Sequence, residues 1–526
     1  MSDIGGPGPQ AGEPATTTGP PVTEGAAPQS RLGAFRARRR VTKAQRSKRR
    51  RRLVRGGIGL VLLVVAVVAG SGIYLDLQLH RVGHLSNIHV QASKGNVENI
   101  LLVGSTDRCL VKPAKNFEAW VKECAAGVNG NNSDVVMILR LVPGRAPTLL
   151  SIPRDTFVPD ARAGDLSNRI DAALYNGPNQ LIQAIEEDFG IPINHFVVLN
   201  FQTFTNIVDV LHGITMYFPT SLKDNDSGLY ISRSGCLHIS GAEALALVRA
   251  RHVYYHYDPK TRTWRGYDPS GDIGRIERDH IFLKVLGQEL AARGVGNPVT
   301  DSQLLGAIAP NLTVDSGFST GEMLHLALTY HSSASRAAQF TLPVVEDTQS
   351  YIYKGFNYGD VVFPTEPQDQ QAIDQFMGGT PASASLISSR ITVSVVDADN
   401  SPAAATTVAA GLTSLGYKVS AGSAVPSVGP IAETTVRYRP GHLAEAQRVL
   451  RSLTGAVVLA SDPKITGSDV AVAVGSDVSV DTPVHTASAS TVLQATAAAA
   501  TLSPLAAPTK ATTSIPPFDP RACAKP

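Results

Sequence analysis

Cysteine is scarce in this chain, with 4 residues among 526. The four cysteines lie at positions 109, 124, 236 and 523, and neither the first pair nor the second has the short spacing of a metal site. The sequence therefore predicts no zinc centre. A helix-turn-helix that could accompany the basic N-terminal segment is also lacking, so no nucleic-acid partner is expected.

Charge is distributed unevenly along the chain. The formal net charge is +3, but 13 Lys and Arg residues lie between Arg31 and Arg55, which leaves 34 basic against 44 acidic residues elsewhere. Such a basic run either binds nucleic acid or marks the cytoplasmic side of a membrane. We favour the membrane, because the uncharged residues 56–75 follow directly and are long enough to cross a bilayer of about 30 Å as a helix.

This arrangement predicts a single-pass protein of the cell membrane with its N-terminus in the cytoplasm. Residues 1–55 form a disordered basic cytoplasmic segment, residues 56–75 a transmembrane helix, and all later residues lie outside the cytoplasm. A cleaved signal peptide is the alternative, but the long polar and basic leader favours an anchor. Disulfides are permitted on the outer side, where Cys109 and Cys124 would close a short loop.

The remaining chain is too long for one hydrophobic core. Strand-like and helix-like patterns alternate in it, which favours a layered α/β domain with helices over a central sheet, followed by a smaller α+β domain. The predicted boundaries are a stalk at 76–97, a catalytic domain at 98–378, a linker at 379–389, the smaller domain at 390–478 and a low-complexity tail at 479–526.

A β-hairpin is predicted early in the larger domain. Residues Val135–Val142 and Thr148–Ile152 have the apolar pattern of strands, and turn residues separate them. The start of the first strand of a hairpin lies beside the end of the second. Asp134 and Arg154 are therefore expected to be neighbours.

Two arginines follow a well-marked helix end. Ser240 and Glu243 have the spacing of a capping box, which begins a helix that extends to about Arg249. Residues two positions apart share a face only in an extended chain. If the chain after the helix is extended, Arg249 and Arg251 point the same way.

A second helix is predicted at Ile273–Leu290, with Asp272 near its start. Leucines mark its inward stripe, yet the first two turns of that stripe are charged. The members of the stripe are Asp272, Arg275, Asp279, Leu283, Leu286 and Leu290. Buried charges are costly unless they are paired or bind a charged ligand. A helix N-terminus with arginines suits phosphate, and an acid among phosphates suits a divalent metal, whereas an internal ion-pair network is the alternative.

Five motifs in order resemble one known family over residues of about 98–378. These motifs are NILLVGSTDR, SDVVMI, LLSIPRDT, NRIDAALY and the long RAR…DIGRIERD stretch. Together they resemble the LytR-CpsA-Psr family of cell-envelope phosphotransferases, which implies an α-β-α layered catalytic domain with a central mixed sheet. Residues 390–478, with Arg439-Pro-Gly441, resemble the C-terminal domain often appended to this family in actinobacteria.

The resemblance implies a membrane-anchored enzyme that transfers a glycan phosphate from a polyprenyl-pyrophosphate carrier to peptidoglycan, with Mg²⁺ or Mn²⁺. The implied metal ligands are Asp107, Asp134 and Asp272. The implied catalytic arginines, which hold the pyrophosphate, are Arg154, Arg249, Arg251 and Arg275. Further expected substrate contacts are Arg108, Asp155, Arg169, Arg278 and Asp279. Asp279 departs from the family, which typically carries Gln there, and a carboxylate would repel phosphate unless it paired with Arg278 or contacted metal.

Several features of this function stay open in the sequence. The general base is Asp155 or another loop aspartate, and a tunnel for the prenyl chain is expected, with the helix Asn179–Phe189 as one candidate wall. The composition and the appended domain suggest an actinobacterium, for which the resemblance implies arabinogalactan as the glycan. The alternatives are a non-catalytic polyprenyl-phosphate-binding scaffold and a membrane-bound transcriptional regulator.

Overall fold

The computed structural model describes residues 82–105, 133–162, 166–292, 303, 306, 309–346, 351–353, 355–379, 386–399, 401–422, 433–481 and 516–523. The predicted cytoplasmic segment, transmembrane helix and Cys109–Cys124 loop lie outside these residues, as do Asp107 and Arg108. Within them, no helix combines the length and the apolar character needed to cross a bilayer.

The first part of the described chain, residues 82–379, is named the catalytic part after its prediction, and it alternates strands and helices as the sequence pattern predicts. Its strands are β1 (Gly83–Leu85), β2 (Glu98–Ser105), β3 (Ser133–Leu141), β4 (Thr148–Ile152), β5 (Phe157–Arg162), β6 (Leu166–Arg169), β7 (His195–Leu199), β8 (Ile214–Phe218), β9 (Leu222–Asp224), β10 (Leu229–Ile231), β11 (Gly235–Ile239), β12 (Tyr254–Asp258), β13 (Thr263–Tyr267), β14 (Leu312–Asp315), β15 (Ala338–Thr341), β16 (Val344–Glu346), β17 (Ile352–Tyr353), β18 (Phe356–Asn357) and β19 (Val362–Glu366). Its α-helices are α1 (Pro178–Phe189), α2 (Phe201–Val210), α3 (Gly241–Arg249), α4 (Gly271–Ala292), α5 (Thr320–Tyr330) and α6 (Gln368–Met377).

A mixed sheet lies at the centre of this part, with the strand order β1-β14-β7-β2-β3-β4-β15. Strand β2 is parallel to β7 and antiparallel to β3, while β4 is parallel to β15. Side chains alternate between the two faces of a strand. Leu101 and Val103 pack in the core on one face, and Leu102 and Gly104 border a cavity on the other.

The predicted hairpin is confirmed. Strands β3 and β4 are antiparallel, and Val136 lies opposite Ile152. This register brings the start of β3 to the end of β4, where the two predicted neighbours lie.

The C-terminal part consists of β20 (Thr392–Asp397), α7 (Pro402–Ser414), β21 (Lys418–Ala421), β22 (Thr434–Tyr438), α8 (Leu443–Leu450), β23 (Leu453–Ser461), β24 (Val470–Val474) and β25 (Val478–Val480). It has a hydrophobic core of its own. However, its sheet continues into the catalytic part, because Thr365 and Glu366 of β19 pair with Ala456 and Gly455 of β23. The two predicted domains therefore share one sheet.

The end of the chain returns to the catalytic part. Residues 516–523 include β26 (Arg521–Ala522), which pairs antiparallel with β8, and Cys523 forms a disulfide with Cys236. The sequence predicts a low-complexity tail over 479–526, and for residues 516–523 this is corrected. An edge strand and a covalent bond hold them against the fold.

Candidate active site

The hairpin ends bring the first two charged residues together. Arg154 follows β4, and its Nη1 donates a hydrogen bond of 2.7 Å to Oδ1 of Asp134 at the start of β3. The predicted proximity of Asp134 and Arg154 is thereby confirmed. Both side chains are mostly buried, at 14 and 11% exposure, so solvent screens their interaction only weakly.

Arg154 is the cation around which three carboxylates gather. Its Nε lies 3.5 Å from Asp155 and 3.4 Å from Asp272, in addition to the bond to Asp134. Burial lowers the pKa of Arg154, but Asp155, Asp272 and Asp134 outweigh it and leave that pKa raised. Arg154 therefore remains charged, and residues far apart in the sequence converge on it.

The first two turns of α4 add Asp272 and Arg275 to the same cluster. Nη2 of Arg275 donates to the backbone oxygen of Asp134 at 2.7 Å and lies 3.2 Å from the Asp272 carboxylate. Burial raises the pKa of Asp272, and Arg275 opposes that rise. The charged start of the predicted helical stripe thus contacts the hairpin.

The last residue of α3 and the segment after it supply the other two arginines, Arg249 and Arg251. The predicted capping box is present at Ser240 and Glu243, and Ala250 at the helix end is extended, with φ −70° and ψ 125°. The guanidinium carbon of Arg249 lies 4.9 Å from the ring centre of Phe201. Burial and then Arg154 lower the pKa of Arg251, and no carboxylate of the described residues lies within 4 Å of its guanidinium. Asp272 and Asp155 oppose this lowering, so Arg251 interacts with two carboxylates of the cluster at longer range.

A second arginine–aspartate pair borders the cluster. Nη1 of Arg169 lies 3.1 Å from Asp155, and its Nε lies 3.5 Å from Asp171. Asp171 is fixed by its backbone amide, which donates to the Arg154 carbonyl at 3.1 Å. Burial raises the pKa of Asp171 to about 6, against the opposing effect of Arg169. Asp171 received no role from the sequence, although it lies inside the NRIDAALY motif.

An amphipathic cavity of about 320 Å³ adjoins the arginines. Its apolar walls come from the sheet and from α2, α3 and α4: Leu102, Val135, Met137, Leu139, Leu149, Leu199, Phe201, Phe204, Leu245, Val248, Phe282 and Leu283. Its charged lining includes Asp134, Arg249, Arg275 and Asp279. One cavity therefore joins the charged cluster to an apolar chamber.

The helix that was expected to line a prenyl tunnel does not line this cavity. Leu181, Ile182 and Ile185 of α1 belong to the core on the opposite face of the sheet. This candidate wall is therefore a core helix, because the sequence pattern shows that α1 has an apolar stripe but does not show which face of the sheet it covers. Helices α2, α3 and α4 form the wall instead.

Asp279 is buried and lines the same cavity. Burial raises its pKa to about 8, although Arg275 and Arg278 oppose this. A carboxyl with such a raised pKa would be mostly protonated at neutral pH, and in that form it would not repel a phosphate. The sequence left open a pairing of Asp279 with Arg278, but Arg278 bonds instead to Asp268, Asp519 and the Ala250 carbonyl.

Arg278, also on α4, is fully buried and does not line the cavity. Its Nη1 contacts Asp268 at 2.8 Å and Asp519 at 3.2 Å, and its Nη2 donates to the Ala250 carbonyl at 2.9 Å. The predicted substrate contact for Arg278 is therefore corrected to a structural role. Asp519 could not be anticipated, since it lies more than two hundred residues away in the sequence.

The oxygen donors around Arg154 have the chemistry of a magnesium site. Asp134 and Asp272 both contact the same guanidinium, and Oδ1 of Asp272 is buried without a hydrogen bond among the described residues. Mg²⁺ prefers oxygen ligands, and carboxylates that lie close together can supply them. The residues present thus fit such an ion, whereas the third predicted ligand, Asp107, lies outside the described residues.

Another group in the described part of the chain has metal-ligand spacing. One ligand atom each from Asp224, Asp226 and His252 lie within 4.8 Å of one another. Oδ2 of Asp224, however, accepts the backbone amides of Arg251 and His252 at 2.7 and 2.9 Å. His252 also pairs with Asp226. These bonds indicate that the group supports the backbone of residues Arg249–Arg251, named here the arginine segment.

The profile of the LytR_cpsA_psr family matches residues 78–362, more than half of the chain. The chain belongs to the LytR-CpsA-Psr family. A second profile, described as LytR cell envelope-related transcriptional attenuator, matches residues 390–477 and confirms the appended C-terminal domain.

Curated members of the LytR-CpsA-Psr family show moderate identity to this chain. It is 28% identical over 273 residues to a probable cell wall biosynthesis protein LcpB of Corynebacterium glutamicum, covering 52% of this chain and 59% of that protein. Its identity to the cell wall biosynthesis protein LcpA of the same organism is 24% over 337 residues, covering 56 and 61%. The polyisoprenyl-teichoic acid–peptidoglycan teichoic acid transferase TagU of Bacillus anthracis is 26% identical over 200 residues, covering 38 and 54%. The matched region thus spans less than two thirds of each relative.

Solved structures of the family also align with the chain. The LytR-Csp2A-Psr enzyme from Actinomyces oris aligns with a TM-score of 0.43 and 22% identity, covering 56% of this chain and 95% of that one. The Bacillus subtilis TagV structure aligns with a TM-score of 0.40 and 22% identity, covering 55 and 100%.

Proposed function

We propose that this protein is a membrane-anchored phosphotransferase that moves a glycopolymer from a polyprenyl-pyrophosphate carrier to peptidoglycan outside the cytoplasm. One observation carries the proposal: a single cavity is lined by Arg249, Arg275, Asp134 and Asp279 together with many apolar side chains. A ligand that fits it has a strongly anionic head and a hydrocarbon tail. Polyprenyl pyrophosphates have this composition.

The arginines would neutralise the pyrophosphate. Arg249 and Arg275 line the cavity, and burial together with Arg154 lowers the pKa of Arg251, which shows that cations crowd this place. An anionic ligand would relieve that crowding. Guanidinium groups fixed before the reaction stabilise charge that develops on phosphoryl oxygens without further reorganisation.

In the proposed reaction, a peptidoglycan hydroxyl attacks the phosphorus that bears the glycan. A new P–O bond forms, the bridging P–O bond breaks, and polyprenyl phosphate leaves with its electrons. The hydroxyl proton passes to a carboxylate, for which we assign Asp155, because its side chain is 16% exposed while that of Asp171 is 3% exposed. Arg154 and Arg169 hold Asp155 in place.

Asp134 and Asp272, together with Asp107, would hold Mg²⁺ or Mn²⁺. Such an ion supplies further neutralisation of the phosphate oxygens when bound. Protonated Asp279 would add a hydrogen-bond donor in place of the family's glutamine.

The choice of glycan rests on the relatives. LcpA and LcpB are named for cell wall biosynthesis in Corynebacterium glutamicum, and TagU is named for teichoic acid transfer to peptidoglycan. The range of these names supports a glycopolymer in general. Arabinogalactan is the specific glycan we propose, as implied by the resemblance to actinobacterial members.

The test uses the full-length protein in detergent, with Mg²⁺ and a polyprenyl-pyrophosphate-linked sugar. We expect Arg154→Ala and Arg249→Ala each to lower the release of polyprenyl phosphate by at least about 100-fold, as for loss of one group that stabilises a developing anion. The matched control is Arg265→Ala, which removes an exposed arginine paired with Asp258. Adding peptidoglycan oligosaccharide distinguishes transfer from hydrolysis.

The alternatives predict different results. A non-catalytic scaffold would bind the lipid and release nothing in the wild-type protein. A transcriptional regulator would place residues after 76 in the cytoplasm, which reporter fusions at both ends of the predicted span would show. Either outcome would overturn the proposed function.

A further inference from the structure

We infer that the C-terminal segment 516–523, named here the C-terminal strap, positions the arginine pair Arg249 and Arg251. Its effect on catalysis rests on the proposed function, whereas its effect on the arginine segment does not. The strap would act through Arg278, which contacts both the strap and the segment.

Besides an ion pair, three contacts attach the strap to the catalytic part. Arg521 and Ala522 add an edge strand to β8 opposite Tyr217 and Met216. The disulfide Cys236–Cys523 closes a separation of 287 residues to β11, on the other edge of β8. The ring of Phe518 stacks on Tyr255, with ring centres 4.3 Å apart and planes at 9°.

The central contact of the strap is an ion pair in the interior. Asp519 and Arg278 are both 0% exposed and lie 3.2 Å apart. Asp268, also buried, is the second carboxylate on the same guanidinium nitrogen. A buried guanidinium is stable only when its donors are satisfied, so removal of one carboxylate changes what the other donors do.

Arg278 transmits this contact to the arginine segment. Its Nη2 donates to the carbonyl of Ala250, the residue between Arg249 and Arg251. From the other side, Oδ2 of Asp224 accepts the amide of Arg251 at 2.7 Å. The backbone of the segment is therefore held by one side-chain donor and one side-chain acceptor.

This arrangement supports two side chains whose geometry matters for phosphate binding. A helix end frays when its last backbone groups lose their partners. Arg249 is at the end of α3, and Ala250 is already extended. Without the strap, Arg278 loses Asp519, and we expect the segment to open more often and both arginines to bind phosphate less well. Pre-organised ligand groups lose this advantage when their supporting contacts are removed.

The first experiment measures hydrogen exchange in the full chain. Asp519→Asn keeps the strand and the disulfide but removes the charge, and its matched control, Asp462→Asn, removes a carboxylate 4.0 Å from Arg437 in the C-terminal part. We expect the amides of Arg251 and His252 to exchange about tenfold faster in Asp519→Asn, which corresponds to about 1.4 kcal/mol. The control should leave them unchanged.

The second experiment separates positioning from general stability. The free energy of unfolding is measured for each variant, and exchange is compared where all variants are folded. Asp519→Glu restores the charge and should restore part of the protection. Unchanged exchange at Arg251 and His252 in Asp519→Asn would overturn the inference, whatever the activity.

Kinetics then connect the strap to the site. In Asp519→Asn we expect kcat/KM for pyrophosphate cleavage to fall about tenfold, while a chain that ends at residue 515 falls further. Reduction of Cys236–Cys523 should have a smaller effect, since the ion pair and the edge strand remain. If exchange changes as expected but the wild-type protein cleaves no pyrophosphate, the positioning role stands and the proposed function fails.

Discussion

Arg275 and Arg278 lie within one turn of each other on α4, yet their surroundings differ. Both are almost completely buried, at 4 and 0% exposure. Arg275 lines the cavity beside Asp134, whereas Arg278 is enclosed by Asp268, Asp519 and a backbone carbonyl. Burial and residue type therefore do not reveal which arginine is available to a ligand. The difference lies in whether the guanidinium faces a cavity or closed partners.

The largest effect on stability is expected at the closed arginine. Arg278→Met leaves two buried carboxylates without their cation, so the free energy of unfolding should fall by about 3–5 kcal/mol. Chemical denaturation of the full chain measures this. Arg265→Met, at an exposed position, is the control. A stability equal to that of the wild type would mean that the Arg278 cluster is not structural.

Arg251, in the cluster around Arg154, should show the reverse behaviour: little loss of stability and a large loss of activity. Arg251→Gln removes a cation that burial and Arg154 already disfavour, so the free energy of unfolding should stay the same or rise. Pyrophosphate cleavage should nevertheless fall by about 100-fold, as for loss of a phosphate ligand. Parallel kinetic and denaturation measurements check both statements. The comparison breaks down if Arg251→Gln destabilises the protein as much as Arg278→Met.

The pH dependence of activity tests the role of Asp279, which lines the cavity beside Arg275. Its pKa in the folded chain is raised from 3.8 to about 8 by burial, so the wild-type activity should decline above pH 8 as the carboxylate ionises beside the phosphate. Asp279→Asn, which mimics the protonated acid, should lack this decline. A pH profile of kcat/KM for both proteins decides, and an identical alkaline decline in both would contradict the assignment.

The same group predicts a stability change with a definite sign. Between pH 4 and 8 the unfolded chain has released the Asp279 proton while the folded chain retains it. The free energy of unfolding therefore decreases as pH rises through this window, by at most about 1.4 kcal/mol per pH unit from this group. The difference between wild type and Asp279→Asn should grow from pH 5 to pH 8 in favour of the variant.

The smallest effect on stability is expected for an arginine that is neither enclosed by buried partners nor part of the cavity lining. Arg451 of the C-terminal part pairs with Asp374 of the catalytic part, and the side chains are 20 and 25% exposed. Because solvent reaches this pair, Arg451→Met should cost about 1 kcal/mol. Thermal unfolding measures the cost, and cleavage activity should be unchanged. A loss of activity would show that the shared sheet communicates with the site.

Local patterns in the sequence predicted those parts of the site that depend on neighbours along the chain. The apolar runs around a turn predicted the β3–β4 hairpin and with it the contact between Asp134 and Arg154. The spacing of Ser240 and Glu243 predicted where α3 begins. Such features follow from strand alternation and capping, which act over a few residues.

Contacts between distant segments were beyond these patterns. The apolar stripe of α1 resembles a tunnel wall as much as a core helix, and only the sheet topology shows which face it covers. Arg278 resembled a phosphate ligand because no partner for it could be seen nearby in the sequence. Its partner Asp519 comes from a distant region of repetitive composition. The shared sheet of the two domains likewise depends on strands nearly a hundred residues apart.

The sequence by itself determined the family, the charged start of α4 and most of the arginines and aspartates of the candidate site. Tertiary structure alone decided which of these groups face the cavity, which are closed in ion pairs, and that Asp279 is buried enough to retain its proton. The physical reason is that charge and periodicity belong to residues and short segments. Desolvation and partner choice depend on everything packed around them.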